Sequence, residues 1–190
     1  MKSSTRQTKS FLLKAYGYEK PLPLQEEIIP PFLKGKNLIV EAPFDPITLT
    51  SFAIAILQAI DEKSHDIQAL ILTPTREMAI GVTHVFKAIG ELLNITVLTC
   101  VGGTDATKIV KQFKEGGQIV VGTPGRVYDM QRKGYFRVDN LKFIVVEEAD
   151  EIISKGFDNL LRDIFEIIPS EAQVERNNIK KSKITSRIFC

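Results

Sequence analysis

The sequence predicts an α/β fold, one domain in which a parallel sheet carries helices on both faces. Three observations lead there: short apolar runs rich in β-branched residues recur along the chain, helical patterns separate them, and no long structureless gap or linker intervenes. The runs lie at Leu38–Val40, Ala69–Leu72, Ile95–Cys100, Gln118–Val121 and Phe143–Val146. Each is continuous rather than alternating, which is the pattern of a strand buried on both faces. The clearest helix follows the last run, where Phe157, Leu160, Leu161, Ile164, Phe165 and Ile168 fall on one face at helical spacing. Parallel neighbours need crossovers, and crossovers are right-handed, so each helix returns over one face of the sheet. No internal repeat is visible.

Composition limits the remaining possibilities. With 190 residues, 44% apolar and 25% charged, the chain can bury one core without staples or structural metal. Its two cysteines, Cys100 in an apolar run and Cys190 at the last position, make no disulfide framework, which favours a reducing compartment, cytoplasmic or nuclear. Residues 1–10 are polar and basic and read as a flexible N-terminus; no apolar stretch approaches bilayer length, so no membrane partner is expected. A net charge of +2 does not argue for nucleic acid, because phosphate binding needs clustered basic charge. One local cluster exists: Arg176, Lys180, Lys181, Lys183 and Arg187 have no acidic residue among them, and a solvated loop is the plainer reading of it. His65 and His84 lie far apart without a Cys or Asp cluster at ligand spacing, which argues against a metal site between them. No GxSxG elbow is present, and Cys100 reads as a core residue rather than a nucleophile.

In such folds ligands bind where loops leave the carboxyl ends of the strands. Those loops hold an ordered series: Gly17 to Gln25 ahead of the first strand, then Pro74-Thr75-Arg76-Glu77-Met78-Ala79, Gly102-Gly103, Thr123-Pro124-Gly125-Arg126 and Glu147-Glu148-Ala149-Asp150. The series resembles, in the same order, the Q motif, motif Ia, the GG element, motif Ib and motif II of the DEAD-box RNA helicases. The likeness covers about residues 11–174 and implies the first RecA-like domain of such a protein, built on a P-loop-type sheet. Residues 175–190 then form a divergent basic C-terminal segment. The stretch Val121 to Met130 is most similar to the branch that serves translation initiation and the exon junction.

The resemblance implies roles for particular residues. Gln25 would meet the adenine of ATP, since a side-chain amide offers a donor and an acceptor together, and Tyr18 would also belong to the nucleotide site. Pro74, Thr75, Arg76, Gly102, Gly103, Thr123, Gly125 and Arg126 would grip the sugar-phosphate backbone of single-stranded RNA through amides, a hydroxyl and guanidinium groups, without reading bases. In motif II, Glu147 stands where the family has the aspartate that holds magnesium through water, Glu148 matches the residue that positions the attacking water, and Asp150 the one that couples ATP to RNA. Three acids opening a helix would equally suit its N-terminal dipole.

The phosphate loop departs from the pattern. The family has AxxGxGKT after the first strand, and here Ala42-Pro43-Phe44-Asp45-Pro46-Ile47-Thr48-Leu49 occupies the place. Asp45 and Ile47 replace glycines whose φ freedom lets backbone N–H groups approach a phosphate. Pro43 and Pro46 lack an N–H altogether, and Asp45 brings a charge of the wrong sign. Thr48 replaces the lysine that neutralises the phosphates, and no lysine or arginine occurs between Lys36 and Lys63. A lost charge pair of this kind is worth about 4 kcal/mol at an effective dielectric near 20, roughly a thousandfold. Weak or no binding of ATP and magnesium is therefore expected. After Gln173-Val174 the family enters a core strand leading to its motif III, which this chain lacks; Arg187–Cys190 is one candidate for a displaced strand, an unrelated ending the other.

These readings describe a degenerate helicase domain that does not hydrolyse ATP and retains weak, sequence-nonspecific binding of single-stranded RNA, or of a protein partner as a scaffold. The alternative is the N-terminal domain of an active ATP-dependent RNA helicase of translation or RNA processing.

Overall fold

The structure is a computed structural model and describes residues 20–41 and 46–177. Its elements run α1 (Pro23–Leu33), β1 (Leu38–Val40), α2 (Pro46–Ala59), β2 (Ala69–Leu72), α3 (Arg76–Gly90), a short 3₁₀ turn (Glu91–Leu93), β3 (Val97–Cys100), α4 (Ala106–Glu115), β4 (Ile119–Gly122), α5 (Pro124–Arg132), β5 (Phe143–Val146), α6 (Ala149–Ser154), α7 (Asp158–Ile167) and β6 (Gln173–Asn177). The strands form one six-stranded sheet in the order β1-β6-β5-β2-β4-β3. Every pairing is parallel, as the continuous apolar runs require.

Alternate strand residues feed two cores. Ala69 and Ile71, Ile119 and Val121, Phe143 and Val145 face α1, α2 and α3, joining Ile29, Phe32, Ala53 and Phe86. Leu70 and Leu72, Val120, Ile144 and Val146 face the other side, joining Ile109 of α4, Val127 and Met130 of α5, Ile152 of α6 and Leu161 and Ile164 of α7. The predicted face of α7 is therefore the packed one. Helix α2 is different: every residue from Thr48 to Leu57 is buried, so it has no solvent face. A helix apolar all round must be covered on all sides, and α1 and α3 flank it.

Buried glutamines fasten the amino ends of three strands. Gln68 accepts from Asp61 N–H at 2.8 Å and from Lys142 Nζ at 2.8 Å, and donates to the Asp61 carbonyl. Gln118 accepts from Thr96 N–H at 2.8 Å and donates to the Ser64 carbonyl at 2.6 Å. Gln173 donates to the carbonyls of Phe32 at 3.0 Å and Lys36 at 2.5 Å. The Gln118 bond also explains why β3 starts at Val97 rather than Ile95, since a side chain has taken the Thr96 N–H.

The largest correction concerns the last strand. Gln173–Asn177 fills the slot between β1 and β5, with Val174 opposite Ile144 and Glu175 opposite Leu38. The core strand is thus in place and runs past residue 174, where the sequence reading closed the domain. No displaced strand from Arg187–Cys190 is needed for that slot. Residues 178–190, with most of the basic cluster, lie outside the described residues, as do Tyr18, Ala42 and Asp45.

Candidate functional site

The loops of interest lie along the carboxyl edge of the sheet, because all strands point the same way. After β2, Thr73 donates its hydroxyl to the Thr75 carbonyl at 3.0 Å, and Thr75 caps α3 by accepting the Met78 N–H at 3.2 Å. Pro74 is buried at this turn and Arg76 emerges exposed. After β3 comes Gly103 in the left-handed region, φ +74°, and a Cβ built there would fall 2.5 Å from Arg76 Nη1. The Arg76 guanidinium therefore lies over Gly103, which joins the loops after β2 and β3. Gly102 beside it is exposed, with nothing within 4 Å of an added Cβ.

Gly122 ends β4 and explains its own identity. A Cβ at Gly122 would sit 2.2 Å from the Cys100 carbonyl oxygen and 2.7 Å from Val127 Cγ2. That close approach lets Thr123 N–H reach the same carbonyl at 3.2 Å, and Pro124 then opens α5, where a missing N–H costs nothing. Thr123 makes no side-chain cap to α5 and Gly125 is exposed. Arg126 donates from Nη2 to the Thr104 carbonyl at 2.9 Å and lies 3.7 Å from Asp129. This ties the loop after β4 to the loop after β3. The eight residues assigned to RNA thus converge on the adjacent ends of β2, β4 and β3, with the two arginines bonded or packed across loops.

The acidic loop follows β5. Glu147 is buried, and its N–H donates to the Leu72 carbonyl at 2.9 Å, extending the β5–β2 ladder by one step. Glu148 is half-buried at φ 50°, ψ 50°, directly before α6. A non-glycine residue in this region is uncommon and stores of order 1 kcal/mol, a pattern found at functional turns. Asp150 accepts the Glu151 N–H at 3.0 Å in the first turn. From the far end of α6, Lys155 pairs with Glu151 at 2.7 Å and reaches the Pro74 carbonyl at 3.4 Å. Lys155 and Thr104 were not legible as site residues in the sequence, because each acts through contacts with distant loops.

At the other end of the sheet, Gln25 is fully buried in the first turn of α1 and accepts the Leu22 N–H at 3.0 Å. Its Nε2 has no hydrogen-bond partner among the described residues. Thr48 and Leu49 lie in the first turn of α2, both buried, and Leu49 belongs to the core with Ile29, Phe32 and Ala53. Thr50 and Ser51 turn their hydroxyls back to the Ile47 carbonyl, at 3.1 and 2.6 Å. Cys100 is buried, and burial pushes its thiol up to about 12, with Arg126 opposing and Asp129 adding to the shift. That is a core thiol, not a nucleophile.

Comparison with known proteins agrees with this geometry. A family model described as DEAD/DEAH box helicase matches residues 22–178. ATP-dependent RNA helicase eIF4A of Lodderomyces elongisporus is 43% identical over 159 residues, covering 84% of this chain and 40% of that protein. The protein of the same name from Neosartorya fischeri is also 43% identical, over 160 residues, with the same coverage. Among solved structures, a DEAD box protein from the hyperthermophile Methanococcus jannaschii superposes with a TM-score of 0.83 at 31% identity, covering 90% of this chain and 47% of that one. A Saccharomyces cerevisiae Dbp5 variant bound to Nup159, Gle1, IP6 and ADP shares the fold, with a TM-score of 0.82 at 22% identity over 95% of this chain and 47% of that one. The chain spans about two fifths of the length of the curated relatives it matches. With its loops in the family's order on the carboxyl edge of a parallel sheet, and with the match extending over most of its length, the chain belongs to the DEAD/DEAH box helicase family as a RecA-like domain related to eIF4A.

Proposed function

We propose that this domain binds single-stranded RNA, weakly and without reading sequence, and does not hydrolyse ATP. The observation that carries the second half is the first turn of α2. Family members use ATP with magnesium, and an oxygen ligand is wanted where Leu49 stands. Leu49 is 6% exposed and packed into the core, and its side chain has no oxygen to offer. Pro46 opens the helix without an N–H, and no lysine or arginine lies between Lys36 and Lys63 to neutralise a triphosphate. These residues do not fit magnesium triphosphate.

Support for RNA comes from the other loops. Arg76 over Gly103, Arg126 on Thr104 and the exposed Gly102 and Gly125 give a surface of cations and accessible backbone, which suits phosphates rather than base edges. Isolated phosphate contacts bind feebly and fade with salt. A protein partner, bound in competition with an active helicase, is the related outcome if no RNA binds. The opposing reading, an active ATP-dependent helicase domain, is favoured by Glu147, Glu148 and Asp150 standing together after β5.

The test is calorimetric titration of ATP with magnesium into this chain and into a variant carrying Asp45→Gly, Ile47→Gly, Thr48→Lys and Leu49→Thr. Binding by the repaired variant alone is expected. Comparable binding by the native chain would overturn the proposal and bring the active-helicase reading forward.

A further inference from the structure

The turn that follows β2 holds its Thr75 carbonyl from within, by the Thr73 hydroxyl at 3.0 Å and the Ala79 N–H at 3.1 Å. The neighbouring carbonyl of Pro74 takes no part in that network. Among the described residues its one donor is Lys155 Nζ, at 3.4 Å, from 81 positions further along the chain. The way α6 ends fixes the backbone at Lys155. The Phe157 N–H returns to the Ile152 carbonyl at 3.2 Å and the Gly156 N–H to the Ile153 carbonyl at 2.9 Å, around Gly156 at φ +81°. This double closure is a well-defined helix ending, and Phe157 and Ile152 add the apolar contact that goes with it, in the same core. One turn back, Glu151 pairs with the Lys155 ammonium at 2.7 Å. The charge is thus neutralised within the helix, while an ammonium with three donors can serve a carboxylate and a carbonyl together.

We propose that Lys155 is a positioning residue for RNA: by holding the Pro74 carbonyl it sets the turn that presents Thr75 and Arg76, without touching the nucleic acid itself. Arg76 lies over Gly103, so the same turn also steadies the loop after β3. Because α6 starts at Glu148 of the acidic loop, the bond joins the ends of β5 and β2 through one short helix. The inference rests on the proposed reading that these loops grip RNA. The side chains of Lys155 and Glu151 are 38% and 40% exposed, and a pair so open to water adds little stability. Its removal should therefore show in binding and not in melting.

Glu151→Gln combined with Lys155→Met removes the pair at constant net charge, which separates positioning from a plain change of field. Binding of an oligouridylate is read by fluorescence anisotropy over a salt series, for this double variant, for Lys155→Arg and for the native chain. Affinity of the double variant is expected to fall about fivefold, the worth of one ordinary hydrogen bond, with the log–log salt slope unchanged. Its melting temperature should stay within about 2 °C of the native one. Lys155→Arg, which keeps a charged donor, should retain native affinity. Native affinity in the double variant, or a loss that Lys155→Arg shares, would overturn the inference and leave the proposed function standing. A slope lower by about 0.7 would overturn it as well, since Lys155 would then meet a phosphate itself. Failure of the native chain to bind the RNA at all would sink the proposed function and this inference with it. Should the double variant fold poorly, Glu151→Gln with Lys155→Gln, whose shorter amide ends before the carbonyl, takes its place and the same outcomes decide.

Discussion

Replacing Gly122 with alanine probes the contact on which the loops after β2 and β4 depend. A Cβ at Gly122 would lie 2.2 Å from the Cys100 carbonyl oxygen, 2.7 Å from Val127 Cγ2 and 3.0 Å from Cys100 Cβ, where ordinary contact begins near 3.4 Å. To admit it, β3 or α5 must withdraw by about an ångström, the gap between those distances and a normal contact. The Cys100 carbonyl also accepts the Thr123 N–H at 3.2 Å, and the Gly122 carbonyl accepts the Thr73 N–H at 3.0 Å, so the displacement falls on the bonds that launch two of the loops. Overpacking a filled core costs about 1–3 kcal/mol, and a backbone oxygen cannot rotate away, which puts this case near 3 kcal/mol. With a urea dependence of about 2 kcal/mol per molar, the unfolding midpoint should fall by about 1.5 M at unchanged slope. Gly125→Ala is the control: its Cβ meets Leu160 Cδ2 at 3.9 Å, and its stability should stay within about 0.5 kcal/mol of the native chain. A Gly122→Ala midpoint equal to the native one, measured by circular dichroism in urea, would refute the close-approach argument.

Two further outcomes are expected. Arg126→Ala removes the bond to Thr104 and, on the proposed reading, one phosphate contact, so affinity for an oligouridylate should fall about tenfold and the log–log salt slope by about 0.7, read by fluorescence anisotropy; an unchanged slope would show that Arg126 meets no phosphate. For Cys100, in a Cys190→Ser background, burial raises the thiol from 9.0 to about 12, so the folded state keeps a proton that the unfolded chain releases. That contribution is full below pH 9.0 and is lost as pH rises towards about 12. The stability difference between this chain and its Cys100→Ala variant should therefore narrow when denaturation is repeated at about pH 10.5 instead of about pH 8, and a constant difference would contradict the buried-thiol reading.

The sequence by itself determined the α/β class, five of the six strands and the family, and the reason is local. Short apolar runs rich in β-branched residues, such as Phe143–Val146, carry the strand signal in their own residues, and the loop motifs keep their order whatever surrounds them. Contacts between distant residues decided the rest. Gln173–Asn177 has one large apolar residue and no strand pattern; it is a strand because β1 and β5 leave a slot whose backbone groups it satisfies, with Gln173 bonded to Phe32 and Lys36. The sequence marked Leu49 as a departure from the family, but burial among Ile29, Phe32 and Ala53 shows it as a core residue. In the same way, nothing beside Gln118 in the chain signals its role; its amide bonds Thr96 and Ser64 only once the fold brings them together, because hydrogen-bond satisfaction is a property of assembled neighbours and not of sequence spacing.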